Sequence, residues 1–498
     1  MKRSVPLLVL GLTAVAAAAL AADDMQKMHM DNQQPAPSPA AASTVHDSKL
    51  TYAKDIAPIL ADNCQTCHRA GEGTPFSMDK YETVKLWSNN IKRMVSSRRM
   101  PPWYEDGTTK KFENNRSMAQ ADIDKIVQWV DAGAPQGDMK DMPKPREFVE
   151  GWSIPKPDIV YQLPKPFPIQ AHGLMEYEYV IIPTGFKKDT WVQYIEAAPT
   201  DRRVVHHIVA YVRVPGSSYF KGVPLNTFFT AKEAEKFKPK MPEMVPDMAP
   251  DTKTDAKADI KADNKPAAKT PEQTTSSKGG GADVPSDWLV GYAPGQTPDM
   301  YKDGEAKLIP AGSDIVMEIH YMPEGMVTTD QSRLGLVLAK GKVTKRAMTL
   351  SADNDKFKIP PFDPNYKVDS SYTAPEDMTL VGMHAHMHMR GKDAQYRIVF
   401  PDGKTDTLLN IPNYNWRWQL WYNLAQPIKM PKGTRIECTE HFDNSAANKE
   451  NPDPSKTVTW GQQTVDEMMV CMFNVVFDAK YTTQQILRPA KLKKTASN

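Results

Sequence analysis

The period of the apolar positions changes near residue 150. Before it the period is helical: Ile56, Ile59 and Leu60 share one face, and Ile123, Ile126, Val127 and Val130 recur at i, i+3, i+4 and i+7, with Gly133 placed to cap that helix. Beyond it, short β-rich runs at 177–182, 191–194, 204–214 and 315–321 are broken by Pro, Gly and Asp. That spacing belongs to antiparallel sandwiches and not to a helical or α/β domain. The expected fold is mainly β, with a small all-α domain in front.

Three stretches lack either period. Residues 22–48 are rich in Ala, Pro, Gln and Ser and read as a flexible linker, 138–157 is dense in Pro and charge, and 231–286 is poor in large apolar residues and reads as a disordered insertion. Met25, Met28, His29 and Met30, like Met241, Met244 and Met248, offer soft thioethers in these stretches, but plain loop is the simpler reading. At the start, Lys2 and Arg3 precede the apolar run Val5 to Leu20, with Ala19-Leu20-Ala21 as a small-residue cleavage site. This predicts a signal peptide over 1–21 and a periplasmic or secreted protein. No later run is long enough for a transmembrane helix, so stable membrane insertion is not expected. The chain has 62 basic and 60 acidic residues, and the leader removes two of the basic ones. A balance near zero gives no ground for nucleic acid as a partner.

The first candidate chemistry is Cys64-Gln65-Thr66-Cys67-His68. Two thiols three apart, followed at once by an imidazole, suit covalent attachment of haem with His68 as axial ligand. In Arg98-Arg99-Met100-Pro101-Pro102-Trp103 the prolines predict an extended loop that aims the Met100 thioether at the iron; Met78, Met94 and Met118 are rivals, Met94 the strongest. With a helix on either side, 49–140 resembles the monohaem class I cytochromes c.

The second is a set of histidines. In Met383-His384-Ala385-His386-Met387-His388-Met389-Arg390-Gly391 three imidazoles alternate, so on a strand all three would line one face, roughly 6 to 7 Å apart per step, with Gly391 letting the chain turn away. Val205-His206-His207-Ile208 and Glu318-Ile319-His320-Tyr321 add three more, so six of the eleven histidines fall in three runs. Asp466-Glu467-Met468-Met469 supplies a thioether. Adjacent strand residues point to opposite faces, so His206 and His207 can share a metal only through a bulge, or by binding one through Nδ1 and the other through Nε2.

His-His, then His before Tyr, then His-x-His-x-x-Gly, then Asp-Glu-Met: in that order the motifs resemble the copper type II, ascorbate-dependent monooxygenases, the family of peptidylglycine α-hydroxylating and dopamine β-monooxygenases. The resemblance covers roughly 155–485 and implies two antiparallel β-sandwich, jelly-roll-like domains, 155–345 and 346–485, each holding one copper, with 486–498 as a tail. It implies an electron-transfer copper on His206, His207 and His320, and an oxygen-activating copper on His386, His388 and Met468. Family spacing to Gly391 selects His386 and His388 and leaves His384 as an extra ring, while Met469 would face away from Met468. Two imidazoles and a thioether leave a cuprous ion an open position for O₂, whereas three imidazoles suit a centre that shuttles electrons. Cys438 and Cys471 are the cysteines outside the haem motif, and in an oxidising compartment they would pair. The resemblance also implies a bridge near the methionine, though in that family the cysteine directly follows it.

The expected function is a haem- and copper-containing oxidoreductase that hydroxylates a small organic substrate with O₂. Electrons from an external donor would pass from haem to the His206/His207/His320 copper and on to the other, the flexible linker tethering the haem domain. The alternative is a non-catalytic electron-transfer or copper-binding protein.

Overall fold

The computed structural model describes residues 49–149, 151–173, 175–237, 287–461 and 463–487, so the leader, the N-terminal linker and 238–286 lie outside the described residues. The helical segment opens with one π-turn, Tyr52–Ile56, that runs into α1 (Ala57–Asn63), followed by α2 (Tyr81–Ser96) and α3 (Gln120–Asp131). Ile56, Leu60, Ile123 and Ile126 meet in one core around the fully buried Trp129, as their spacing predicts. Gly133 takes φ +84° and returns its N–H to the Val130 carbonyl, ending α3.

The remainder is mainly β and antiparallel. The first half contains β1 (Ile159–Gln162), β2 (Glu178–Pro183), β3 (Thr190–Ala198), β4 (Val205–Arg213), β5 (Phe228–Thr230), β6 (Asp287–Tyr292), β7 (Glu305–Ile309), β8 (Asp314–Tyr321) and β9 (Arg333–Leu338). The second contains β10 (Lys345–Asp353), β11 (Tyr366–Thr373), β12 (Met378–His386), β13 (Gly391–Val399), β14 (Thr405–Ile411), β15 (Tyr422–Met430), β16 (Arg435–Phe442) and β17 (Val470–Asp478). In each half two sheets close on an apolar core. One face of β8 shows how: Ile315, Met317, Ile319 and Tyr321 enter the first core, which leaves Glu318 and His320 on the opposite face.

The two sandwiches are not separate. β7 and β10 pair in parallel, Glu305 opposite Lys345, so a single nine-stranded sheet runs through both halves in the order β1-β9-β3-β7-β10-β17-β12-β15, with Asp299–Met300 beside β3. The five-stranded sheet β5-β2-β8-β4-β6 and the four-stranded sheet β11-β16-β13-β14 cover its two ends. Buried Lys307 crosses the seam, donating to the Trp288 and Leu289 carbonyls at 2.7 and 2.9 Å and to Thr349 at 3.3 Å.

Four stretches depart from expectation. Residues 102–116, which continue the expected haem loop at 98–103 and are expected wholly within the helical domain, form an arm that enters the second sandwich: Trp103 and Phe112 are buried in its core, with ring centroids 4.8 and 5.6 Å from Tyr422. Glu113 donates its N–H to Asn423, Asn114 its amide to the Trp421 carbonyl, and Lys111 accepts from Ala425. The linker after the helical segment is also pinned, with Arg69 over Phe148 at 4.0 Å and the N–H groups of Ser153 and Ile154 on the Glu196 carboxylate. The helical segment is therefore docked against both sandwiches and is not a tethered body. The insertion starts in order too: Thr230 and Glu233 form a capping box on α4 (Ala231–Ala234). At the other end α5 (Thr483–Leu487) buries Ile486 in the second core, where a tail was expected from 486. Among the described residues no helix is long and apolar enough to cross a membrane.

Candidate metal centres

His320 on β8 faces His207 on β4, but the next pair is Tyr321 with Val205. His206 is therefore the extra residue of a β-bulge, which turns both adjacent imidazoles to one side. The three ring centroids lie 5.1 to 5.4 Å apart, and each ring offers a nitrogen within 4.8 Å of the others. His206 and His207 bring their Nδ1 atoms to 3.2 Å, and the buried Nδ1 of His320 has no hydrogen-bond partner. Burial pulls His206 down to about 4, helped by the Arg417 charge, and His320 to about 3, helped by His206; burial also holds His207 well below its ordinary value. The rings are thus neutral, the form that binds a metal. Convergent neutral imidazoles with an orphaned nitrogen could hold a metal ion, copper being one of those that imidazole suits.

On the second sandwich β12 ends at His386, so His388 lies in the turn beyond it and swings inward. His384 and His386 keep strand spacing, 6.4 Å apart and nearly parallel, whereas the His386 and His388 rings stand at 85° with centroids 5.2 Å apart. His386 Nδ1 contacts Gln419 Oε1 at 2.5 Å, which leaves its Nε2 for a metal, and His388 Nδ1 contacts the Asp466 carbonyl at 3.2 Å, with the Gln463 backbone as a second partner of that ring. Met468 is half-buried and lines the same cleft, while Met469 points into the core. The buried Glu467 carboxylate accepts the N–H groups of His388 and Arg390 at 2.9 and 2.6 Å, tying the histidine turn to the methionine loop. Gly391 is required for close approach and not for a left-handed turn: a Cβ there would lie 2.6 Å from the Met387 Cβ and 2.8 Å from the Tyr414 ring.

In the helical segment the turn after α1 sets Cys64, Cys67 and His68 together, with the His68 N–H on the Cys64 carbonyl. His68 Nδ1 lies 3.1 Å from the Phe76 carbonyl, which leaves Nε2 for an iron, and Phe76 stacks on Trp87. Met94 and Met100 both line the cleft, their backbones joined by a 3.3 Å hydrogen bond. Met78 is tied to the carbonyl of His68 itself, and Met118 belongs to the helical core without lining the cleft.

All three sites line one cleft of about 2500 Å³. Tyr177 stands edge-on to His320 and His207, with centroids 4.6 and 5.5 Å away, and shares a hydrogen bond with Thr464 of the opposite sandwich. The loop at 293–298 closes on the haem motif, where Arg116 donates to the Gly295 carbonyl and a Cβ on Gly295 would lie 3.0 Å from Cys67 Sγ. Cys438 and Cys471 face each other across the second core as free, hydrogen-bonded thiols; the expected bridge is not formed.

Sequence reasoning missed Glu467, Gln419 and Tyr177 as supports of the ligands. Glu467 stood inside a quoted motif, but Gln419 and Tyr177 carry no local signal.

No family model and no curated protein matches the chain. Among solved structures, infectious bursal disease virus Gt strain is 11% identical over 68% of this chain and 77% of that one, with a TM-score of 0.15. The VP2 subviral particle of the same virus is 12% identical over 69% and 77%, with a TM-score of 0.16. Likenesses of that size carry no argument about fold or function.

Proposed function

We propose that this protein is an exported oxidoreductase, a copper-dependent monooxygenase of the ascorbate-dependent type fused to a c-type cytochrome segment, which hydroxylates a small organic substrate. The observation that supports this most is the convergence of two histidine sets and a haem-attachment motif on one cleft. Cys64 and Cys67 would hold a covalent haem with His68 as one axial ligand and Met100 or Met94 as the other. His206, His207 and His320 would hold one copper, and His386, His388 and Met468 a second. When bound, the metals supply electron transfer and the activation of O₂.

The chain's own part is geometric. Glu467 and Gln419 fix the second ligand set, and Tyr177 packs against the first. Hydroxylation consumes O₂, two electrons and two protons and releases one water, so an external donor must refill the protein twice per turnover.

Metal and haem analysis, with oxygen uptake by copper-loaded protein screened against candidate substrates under a chemical reductant, tests the reading. Two coppers and one haem per chain are expected, with His206→Ala losing one copper. A single copper in loaded wild-type protein would refute the two-site arrangement. Full loading without substrate-dependent oxygen uptake across the screen would favour a non-catalytic electron carrier.

A further inference from the structure

We propose that Trp288, Trp421 and His384 form an electron route from the haem-binding segment into the His386/His388/Met468 site. The inference rests on the haem and copper reading above. Trp288 on β6 and Trp421, just before β15, come from opposite sandwiches, and their ring centroids meet at 6.2 Å across the cleft. His384 lies 5.0 Å from Trp421 and 6.3 Å from Trp288, and His386 follows at 6.4 Å in a near-parallel stack. Rings at these separations are in or near van der Waals contact, so no wide gap interrupts the series.

Its other end lies against the haem-binding segment. Asn114 donates to the Trp421 carbonyl at 2.7 Å, and its side-chain oxygen accepts the Asn423 N–H at 3.0 Å. Trp288 folds over Gly291, where a Cβ would lie 2.9 Å from its ring, and four residues on Gly295 meets Cys67. Among the described residues no ring contact leads on to the other site, although His386 and His207 lie within charge range of each other across the cleft. Trp288 touches Tyr211 at 5.8 Å, but among the described residues no ring contact continues from Tyr211 to His206, His207 or His320. This gives the extra histidine a role: His384 is the last ring before the ligand His386.

The step is a one-electron exchange. Ferrous haem iron is oxidised, a cupric ion at the His386 site is reduced, no bond forms or breaks, and the rings act as a bridge without being oxidised themselves.

Flash photoreduction of the haem in fully cupric protein under argon, followed at the visible haem bands, tests the route. Trp288→Leu and Trp421→Leu should each slow haem reoxidation roughly tenfold or more, and Trp421→Phe, which keeps a ring and guards against misfolding, should stay within about threefold of wild type. His386→Ala, with the three-imidazole site still loaded, should lose this phase. Reoxidation that is unchanged in both leucine variants, or that survives in His386→Ala, overturns the route while haem and copper analysis leaves the proposed function standing. Wild-type protein that binds no haem or no copper overturns both.

Discussion

A single carboxylate can decide whether a ligand set is ready for its metal. Glu467 is fully buried, burial pushes it up to about 8, and its acceptor oxygens hold two backbone N–H groups of the histidine turn. Glu467→Gln keeps the shape but faces one of those donors with an amide N–H, so we expect a loss of about 1–3 kcal/mol in thermal or denaturant unfolding. Copper affinity should weaken at the His386 site and stay unchanged at the His206 site, as read by titration of each. A second carboxyl acts through pH. Burial, then the charges of Glu233 and Glu176, raise Glu178 from 4.5 to about 7. Below 4.5 both folded and unfolded chains carry the proton. Between 4.5 and about 7 only the unfolded chain ionises, so stability falls as pH rises through that window and levels off above it. Glu178→Gln should therefore melt higher than wild type at pH 8, by about 1 kcal/mol once solvent screening is allowed for, and equal it at pH 4.

Among the elements, the sequence showed most where a period or a motif is local. The i, i+3, i+4 rows of α3, the strand runs and the histidine and cysteine motifs that line the cleft could all be read, because each depends on neighbours a few residues away. The bulge at His206 was legible only as a requirement: two adjacent imidazoles that share a face demand an extra residue, and the register with His320 supplies it. The arm was not legible. Pro101, Pro102 and Trp103 read as a loop serving the haem, yet what fixes Trp103 and Phe112 is Tyr422, more than three hundred residues on. The parallel pair β7 and β10 was hidden for the same reason, since pairing between halves leaves no local pattern. The arm yields a prediction. Phe112→Ala removes a buried ring from the second core and should cost about 3–5 kcal/mol. It should also make 102–116 sensitive to limited proteolysis before either sandwich unfolds.

For the whole molecule, the docking of the helical segment changes how the redox groups would work together. An effective concentration set by a linker is the wrong quantity when the helical segment is held by Arg116 on Gly295, by Asn114 on Trp421 and by the salt bridge from Arg202 to Glu72 at 3.5 Å. Electron exchange inside the chain should accordingly be independent of viscosity, which flash kinetics in glycerol or sucrose would check; a rate that falls as viscosity rises would mean that the segment leaves and returns. The arm also affects how the gene can be cut. A boundary drawn near residue 150 separates helices from strands on paper, but it removes two aromatic plugs from a core that belongs to the other piece. Expression of 151–498 alone would leave the Tyr422 wall of that core facing solvent, inviting aggregation, and a synthetic peptide spanning 99–118 would be the natural reagent to restore it.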